Sequence, residues 1–191
     1  MKKIILAIFI SISFLTASQL SDKDYIKKTV TNVTNKIANT LVSNEEEHIK
    51  KTKILSQVAG LFDYQLMSKL VLGKRYWNKF NSSQKKQFTS LFKEKLQDTF
   101  FKKSKIYKGE KILIDKEAKL KNNKAFINSY FTLNNEKKSI LYKFYKSKKT
   151  NKWKIYDLEV FNISIIKSYK HQFNDLLRKN SVKEFLIKIS N

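Results

Sequence analysis

A chain of 191 residues is long enough for one domain, or two small ones, with a sizeable core. Its 40 basic and 16 acidic residues give a formal charge of +24, a balance that first suggests a nucleic-acid partner. Lysine and asparagine dominate throughout, with arginine only at Arg75 and Arg178. A surface built to read phosphates would favour arginine, so the charge reads as a composition bias and no nucleic-acid role is expected. What it leaves open is attraction to anionic headgroups or to an acidic protein. The chain has no cysteine, so no disulfide supports it and stability must come from the core.

Residues 1–18 have the pattern of a cleavable signal peptide. Lys2 and Lys3 form a positive start, Ile4 to Leu15 an apolar run, and Thr16-Ala17-Ser18 a small-residue cleavage site. The run is too short for an ordinary membrane span. Residues 19–191 are then expected to form a single exported domain.

Ile26, Val30, Val33, Ile37 and Leu41 make a helical stripe over residues 22–42. Asn44 followed by Glu45, Glu46 and Glu47 reads as a cap and an acidic first turn. The second helix runs to about Val58, with Ile49, Leu55, Val58 and Ala59 on its apolar face. Asp63 can cap a short helix ending at Gly73, and a further segment holds Tyr76 and Trp77. Asn81 or Ser82 caps a long helix, with Gln84 as capping-box partner. Phe88, Leu91, Phe92, Leu96, Thr99 and Phe100 share one face of that helix.

After Lys105 the period changes to two. Residues 111–120 alternate in part, and residues 125–133 and 139–145 alternate throughout, with Asn134-Asn135 and Lys149 to Asn151 as turns. From Trp153, a last strand places Trp153, Ile155 and Asp157 on one side and Tyr156, Leu158 and Val160 on the other. At Asn162, which tolerates a left-handed backbone, a helical period begins: Ile163, Ile166, Tyr169, Phe173, Leu176 and Leu177. A final short helix starts at Ser181. The expected class is α+β: helices over 22–104, strands over 110–161, C-terminal helices over 163–190. A four- to five-stranded antiparallel sheet, one face wet, is covered by several helices.

Catalytic chemistry is sparse, and no catalytic or metal-ligating residue is assigned. His48 and His171 fall on helix surfaces, no cysteine or histidine cluster offers a zinc site, and Gly60, Gly73 and Gly109 are isolated. Asp157 is the one carboxylate with a candidate role. Its neighbours suggest partial burial beside Lys143 or another lysine, and the alternative reading is a small periplasmic α+β enzyme using Asp157 with a nearby tyrosine.

Two stretches carry a family resemblance. Trp153-Lys-Ile-Tyr-Asp157, Ile163-Ser164 and Tyr169-Lys-x-Gln-Phe173 form one. Leu61-Phe-Asp-Tyr64, Met67, Leu72-Gly73, Tyr76-Trp77, Phe80, Gln84, Phe88 and Phe92 form the other. Together they resemble the MlaC family, also called toluene-tolerance or Ttg2-type proteins. The chain departs from the pattern at Phe161-Asn162, where the family often has Glu-Gly, and at Lys170, where it often has Arg. The resemblance implies a periplasmic carrier of phospholipid that maintains outer-membrane lipid asymmetry. Its partners would be an inner-membrane ABC transporter with a substrate-capturing subunit, and an outer-membrane lipoprotein complex. It implies no cofactor beyond the phospholipid cargo, held in an apolar pocket between sheet and helices. Apolar periodicity, and not the family, supplies the expected lining: Tyr76, Trp77, Phe88, Phe92, Phe131, Tyr142, Phe144, Tyr156, Leu158 and Val160.

Overall fold

Short-range capping decides where most helices begin. In the computed structural model, which describes residues 21–190, the Ser21 side chain accepts from the Asp24 N–H and opens helix α1 (Asp22–Val42). The expected signal peptide lies outside the described residues. Helix α2 (Glu47–Val58) starts later than its sequence suggests. Glu46 holds the cap position with no side-chain bond, and Asn44 stays in the connection. Glu45 is turned instead to Lys53, and the Lys50 ammonium reaches back to the Leu41 carbonyl at 3.0 Å. Asp63 caps helix α3 (Tyr64–Trp77) through the Leu66 N–H at 2.8 Å. Asn81 and Gln84 form a reciprocal capping box, 2.9 Å each way, at the start of α4 (Ser82–Ser104).

Helix α3 is kinked, not ended, by Gly73, whose φ of 68° and ψ of 166° lie in a region that only glycine enters at low cost. A side chain there would find room, since the nearest atoms are the Lys170 Cε and Nζ at 3.6 and 3.7 Å. The constraint is therefore conformational.

The sheet is antiparallel, in the order β1 (Leu113–Ile114), β3 (Lys124–Leu133), β4 (Glu136–Lys146), β5 (Trp153–Val160), β6 (Ile163–Ser164), with β2 (Lys119–Lys121) also pairing β3. The partly alternating run before residue 121 thus becomes two short strands on one edge. Asn134 and Asn135 turn the β3–β4 hairpin with φ of 49° and 61°. Phe161 and Asn162 turn the β5–β6 hairpin with φ of 52° and 66°. Paired left-handed residues match the twist of the flanking strands, and asparagine adopts them at modest cost. A phenylalanine does so only at strain. The Phe161 ring is held against Phe131 at 6.1 Å between centroids, with the Lys138 ammonium 5.8 Å away.

Strand β5 does not keep the simple alternation expected of it. Lys143 pairs with Asp157 and Phe144 with Ile155, so Tyr156 is the extra residue of a β-bulge. The bulge flips the faces. Trp153, Ile155 and Leu158 all join Ala125, Ile127, Tyr142 and Phe144 in a core closed by Ile26 and Val30 of α1. Asp157 leaves that side. A second core lies wholly among helices. It gathers Met67, Val71, Leu72, Phe88, Phe92, Phe173 of α5 (Ile165–Lys179) and Phe185 of α6 (Val182–Ser190).

The Gly73 backbone yields a direct test. Gly73→Ala should lower stability by about 1–3 kcal/mol in urea unfolding, although nothing crowds the added methyl. A loss below about 0.5 kcal/mol would contradict a strained kink.

Candidate functional site

The two cores meet along a seam where, among the described residues, only Phe62 and Ile165 pack against both. Three tethers hold one side of the seam to the sheet. Residues Leu61 to Asp63 pair with the free edge of β5: the Asp63 N–H donates to the Ile155 carbonyl at 3.0 Å, and the Ile155 N–H to the Leu61 carbonyl at 2.8 Å. The Tyr145 hydroxyl of β4 donates to the other oxygen of Asp63, the cap of α3. The third tether is the Asp157 carboxylate, which is 4 % exposed. One oxygen accepts from the Ser164 hydroxyl at 2.8 Å and from Lys143 at 3.2 Å, and the other from the Ile166 N–H at 3.1 Å. Ser164 in turn caps α5 through the Lys167 N–H. Asp157 thus satisfies the first turn of a helix separated from its own strand by the Phe161-Asn162 turn and the two residues of β6.

Lys143 bridges Asp157 and Glu159, the latter at 2.7 Å. Desolvation pulls its ammonium down, but the hydrogen bonds to Glu159 and Asp157 outweigh it and hold the group above its usual value. Tyr145 is pushed up to about 12, by desolvation first and by its bond to Asp63 second.

Between the tethered wall and the opposite helices lies an apolar cavity of about 30 Å³. Met67 and Tyr64 of α3, Leu158 of β5, Ile165 and Phe62 form one side. Leu55 and Val58 of α2 and Leu96, Gln97 and Phe100 of α4 form the other. Among the described residues no hydrogen bond joins α2 or α4 to the sheet. Helix α4 is tied to α5 by Thr99 and Tyr169, whose hydroxyls are 3.0 Å apart.

Of the ten residues singled out from periodicity, Leu158 reaches this cavity. Tyr76, Phe88 and Phe92 fill the helical core, with Trp77 packed at its margin. Tyr142 and Phe144 lie in the sheet core, with Val160 against it. The Tyr142 hydroxyl is pinned there by Thr34 and Ser129, at 3.2 and 3.3 Å. Phe131 packs on Tyr107 and Phe161 at the far end of the sheet. Tyr156, on the bulge, stacks edge-on to Tyr145. Leu55, Val58, Leu96 and Phe100 were visible as apolar helix faces. Their convergence on one seam depends on how α2 and α4 cross, which no local spacing encodes. His48 and His171 are exposed beside Glu46 and Asp175. Among the described residues no cluster of three His, Cys, Asp or Glu is placed to hold a metal, and no helix is long and apolar enough to cross a membrane.

A family model described as MlaC protein matches residues 27–191. The chain belongs to the MlaC family. No curated protein matches it. Among solved structures, a similar one is the phospholipid-binding protein of Ralstonia solanacearum in complex with a phospholipid. It is 18 % identical, with a TM-score of 0.66, and the match covers 86 % of this chain and 98 % of that one. At that identity the likeness is one of fold. In this MlaC-family chain both motif stretches serve the tethered wall: Asp63 caps α3 against Tyr145, and Asp157 and Ser164 cap α5.

Asp157→Asn should lower stability by about 2–3 kcal/mol, because it weakens charge-assisted bonds in a buried site, as measured by urea unfolding. A neutral effect would contradict the tether. The raised Tyr145 pKa sets a pH dependence. An unfolded tyrosine ionises near 10 and this one at about 12. The stability it contributes is whole below pH ~10 and is lost as pH rises toward about 12. Unfolding free energy measured across that window should fall less steeply in Tyr145→Phe than in the unsubstituted chain. Parallel slopes would contradict the assignment.

Proposed function

We propose that this protein binds a phospholipid with its acyl chains in the seam between the two cores, leaving the headgroup near water. The observation that carries the reading is the cavity itself. It is apolar and sits where two separately closed cores meet, in an MlaC-family chain whose fold matches that of a protein solved with phospholipid. Each methylene withdrawn from water is worth about 0.8 kcal/mol, so long tails supply a large driving force without specific polar contacts.

At about 30 Å³ the cavity has room for one or two waters, far below the several hundred Å³ a lipid-sized ligand needs. Loading must therefore part the walls. Helices α3 and α5 are fixed to β5 by the three tethers, whereas α2 and α4 carry no hydrogen bond to the sheet among the described residues. The mobile wall is α2 and α4; the tails replace the apolar contacts that their movement breaks, and the Thr99–Tyr169 bond between α4 and α5 is the polar contact that opening must strain or break.

In this reading the protein is a periplasmic shuttle. It exchanges cargo with an inner-membrane ABC transporter through a substrate-capturing subunit and with an outer-membrane lipoprotein complex, and so maintains outer-membrane lipid asymmetry. ATP hydrolysis belongs to the transporter. The enzyme alternative draws no support from Asp157, whose two oxygens are occupied by structural partners and which does not line the apolar cavity.

Native mass spectrometry of protein purified without detergent from a bacterial periplasm should show a mass excess equal to one or more phospholipids. Leu158→Trp, which fills the cavity, should reduce the loaded fraction severalfold while keeping a cooperative unfolding transition, at an overpacking cost of about 1–3 kcal/mol. A clean unliganded mass with no uptake from liposomes would contradict the proposal.

A further inference from the structure

A second and larger concavity lies away from the apolar seam. Beyond the Gly73 kink, the last turn of α3 and the outer face of α5 leave an open groove of about 440 Å³, within the range of small-ligand sites. Its walls carry four cationic side chains, Lys74 and Arg75 from α3 and Lys170 and Arg178 from α5, together with His171, Asn174 and a single carboxylate, Asp175. That carboxylate is bonded to Arg178 and lies 3.2 Å from His171 Nδ1. Lys74, Arg75 and Lys170 have no ion-pair partner among the described residues. The Lys170 ammonium lies over Gly73, and the Arg75 guanidinium is 5.5 Å from the Tyr76 ring centroid. Asn174 makes no side-chain hydrogen bond among the described residues, and its Oδ1 is buried without a partner. An amide in that state can turn to donate.

Basic side chains near helix C-termini suit the negative end of the helix dipole, which accounts for positive charge here. It does not account for the choice of residue. Arginine occurs twice in the chain, against 38 lysines, at Arg75 and Arg178, and the fold brings both to one groove from positions about a hundred residues apart in sequence. Guanidinium differs from ammonium in offering a planar fork that takes two oxygens of one phosphate.

We propose that the α3–α5 groove is a phosphate-binding site, with Arg75 and Arg178 taking phosphate oxygens and Lys74 and Lys170 supplying further charge. The phosphate can be free or part of a lipid headgroup presented from outside, and this assignment does not depend on what the apolar seam holds.

The test is a titration of the purified protein, followed by amide resonances, with inorganic phosphate in one arm and phosphatidylglycerol vesicles in the other. Shifts are expected at residues 72–76 and 170–178. R75K/R178K keeps the charge and loses both forks, and it should weaken binding by about tenfold or more. K28Q/K183Q removes two charges elsewhere on the surface and should change binding by no more than about twofold. Matching unfolding midpoints would show that both variants fold. Arginine-dependent binding of inorganic phosphate assigns the site to free phosphate. Arginine-dependent binding of vesicles alone assigns it to a headgroup. No groove shifts in either arm, or equal affinity in R75K/R178K, would overturn the proposal, and a lipid-free mass spectrum would not bear on it.

Discussion

A buried carboxylate with every partner named holds this fold in register. Asp157 receives the Ser164 hydroxyl, the Ile166 N–H and the Lys143 ammonium, and so fixes the start of α5 to the strand that precedes it. A charge that is 4 % exposed would be costly alone. Here its bonds to the first turn of a helix and to a lysine compensate for the lost water. The bulge at Tyr156 makes this possible, because it turns Asp157 out of the apolar sheet core and lets Leu158 take its place.

The consequence is an asymmetry in how the two cores are joined. The β5 side of the seam is bound by backbone pairing at Leu61 to Asp63, by the Tyr145–Asp63 bond and by Asp157. The other side carries no hydrogen bond to the sheet among the described residues: it is held by apolar contact, by the Thr99–Tyr169 hydroxyl pair between α4 and α5, and by surface ion pairs such as Lys51–Asp98 between α2 and α4. Apolar contact is non-directional and can be exchanged for contact with an acyl chain at little net cost. Directional buried bonds cannot. A seam built this way can open along one wall without loosening the other.

Much of the architecture could be read in the sequence where the signal was local. Asp63 and the Asn81–Gln84 box are three-residue relationships, and the Asn134-Asn135 turn needs only two left-handed residues. Features set by long-range contact were not legible. The period-two pattern ran unbroken through Tyr156, so the bulge and the true facing of Asp157 were hidden. Phe161 adopts a left-handed backbone against its own preference because the sheet and Phe131 hold it there. For the candidate site, Leu158 was singled out, whereas the aromatic run of α4 divides between two tasks. Phe88 and Phe92 fill the helical core and Phe100 faces the seam, a division settled by helix crossing and not by spacing.

On the proposed reading, lipid loading moves α2 and α4 while α3, α5 and β5 stay together. The chain has no cysteine, so spin labels can be placed without background. One pair would sit at Lys102 on α4 and Lys152 beside β5, a second at His171 on α5 and Lys152. Pulsed dipolar spectroscopy on lipid-free and phospholipid-loaded protein should show the first distance lengthen and the second hold. A loaded protein with both distances unchanged, or with α5 moving away from β5, would contradict the account.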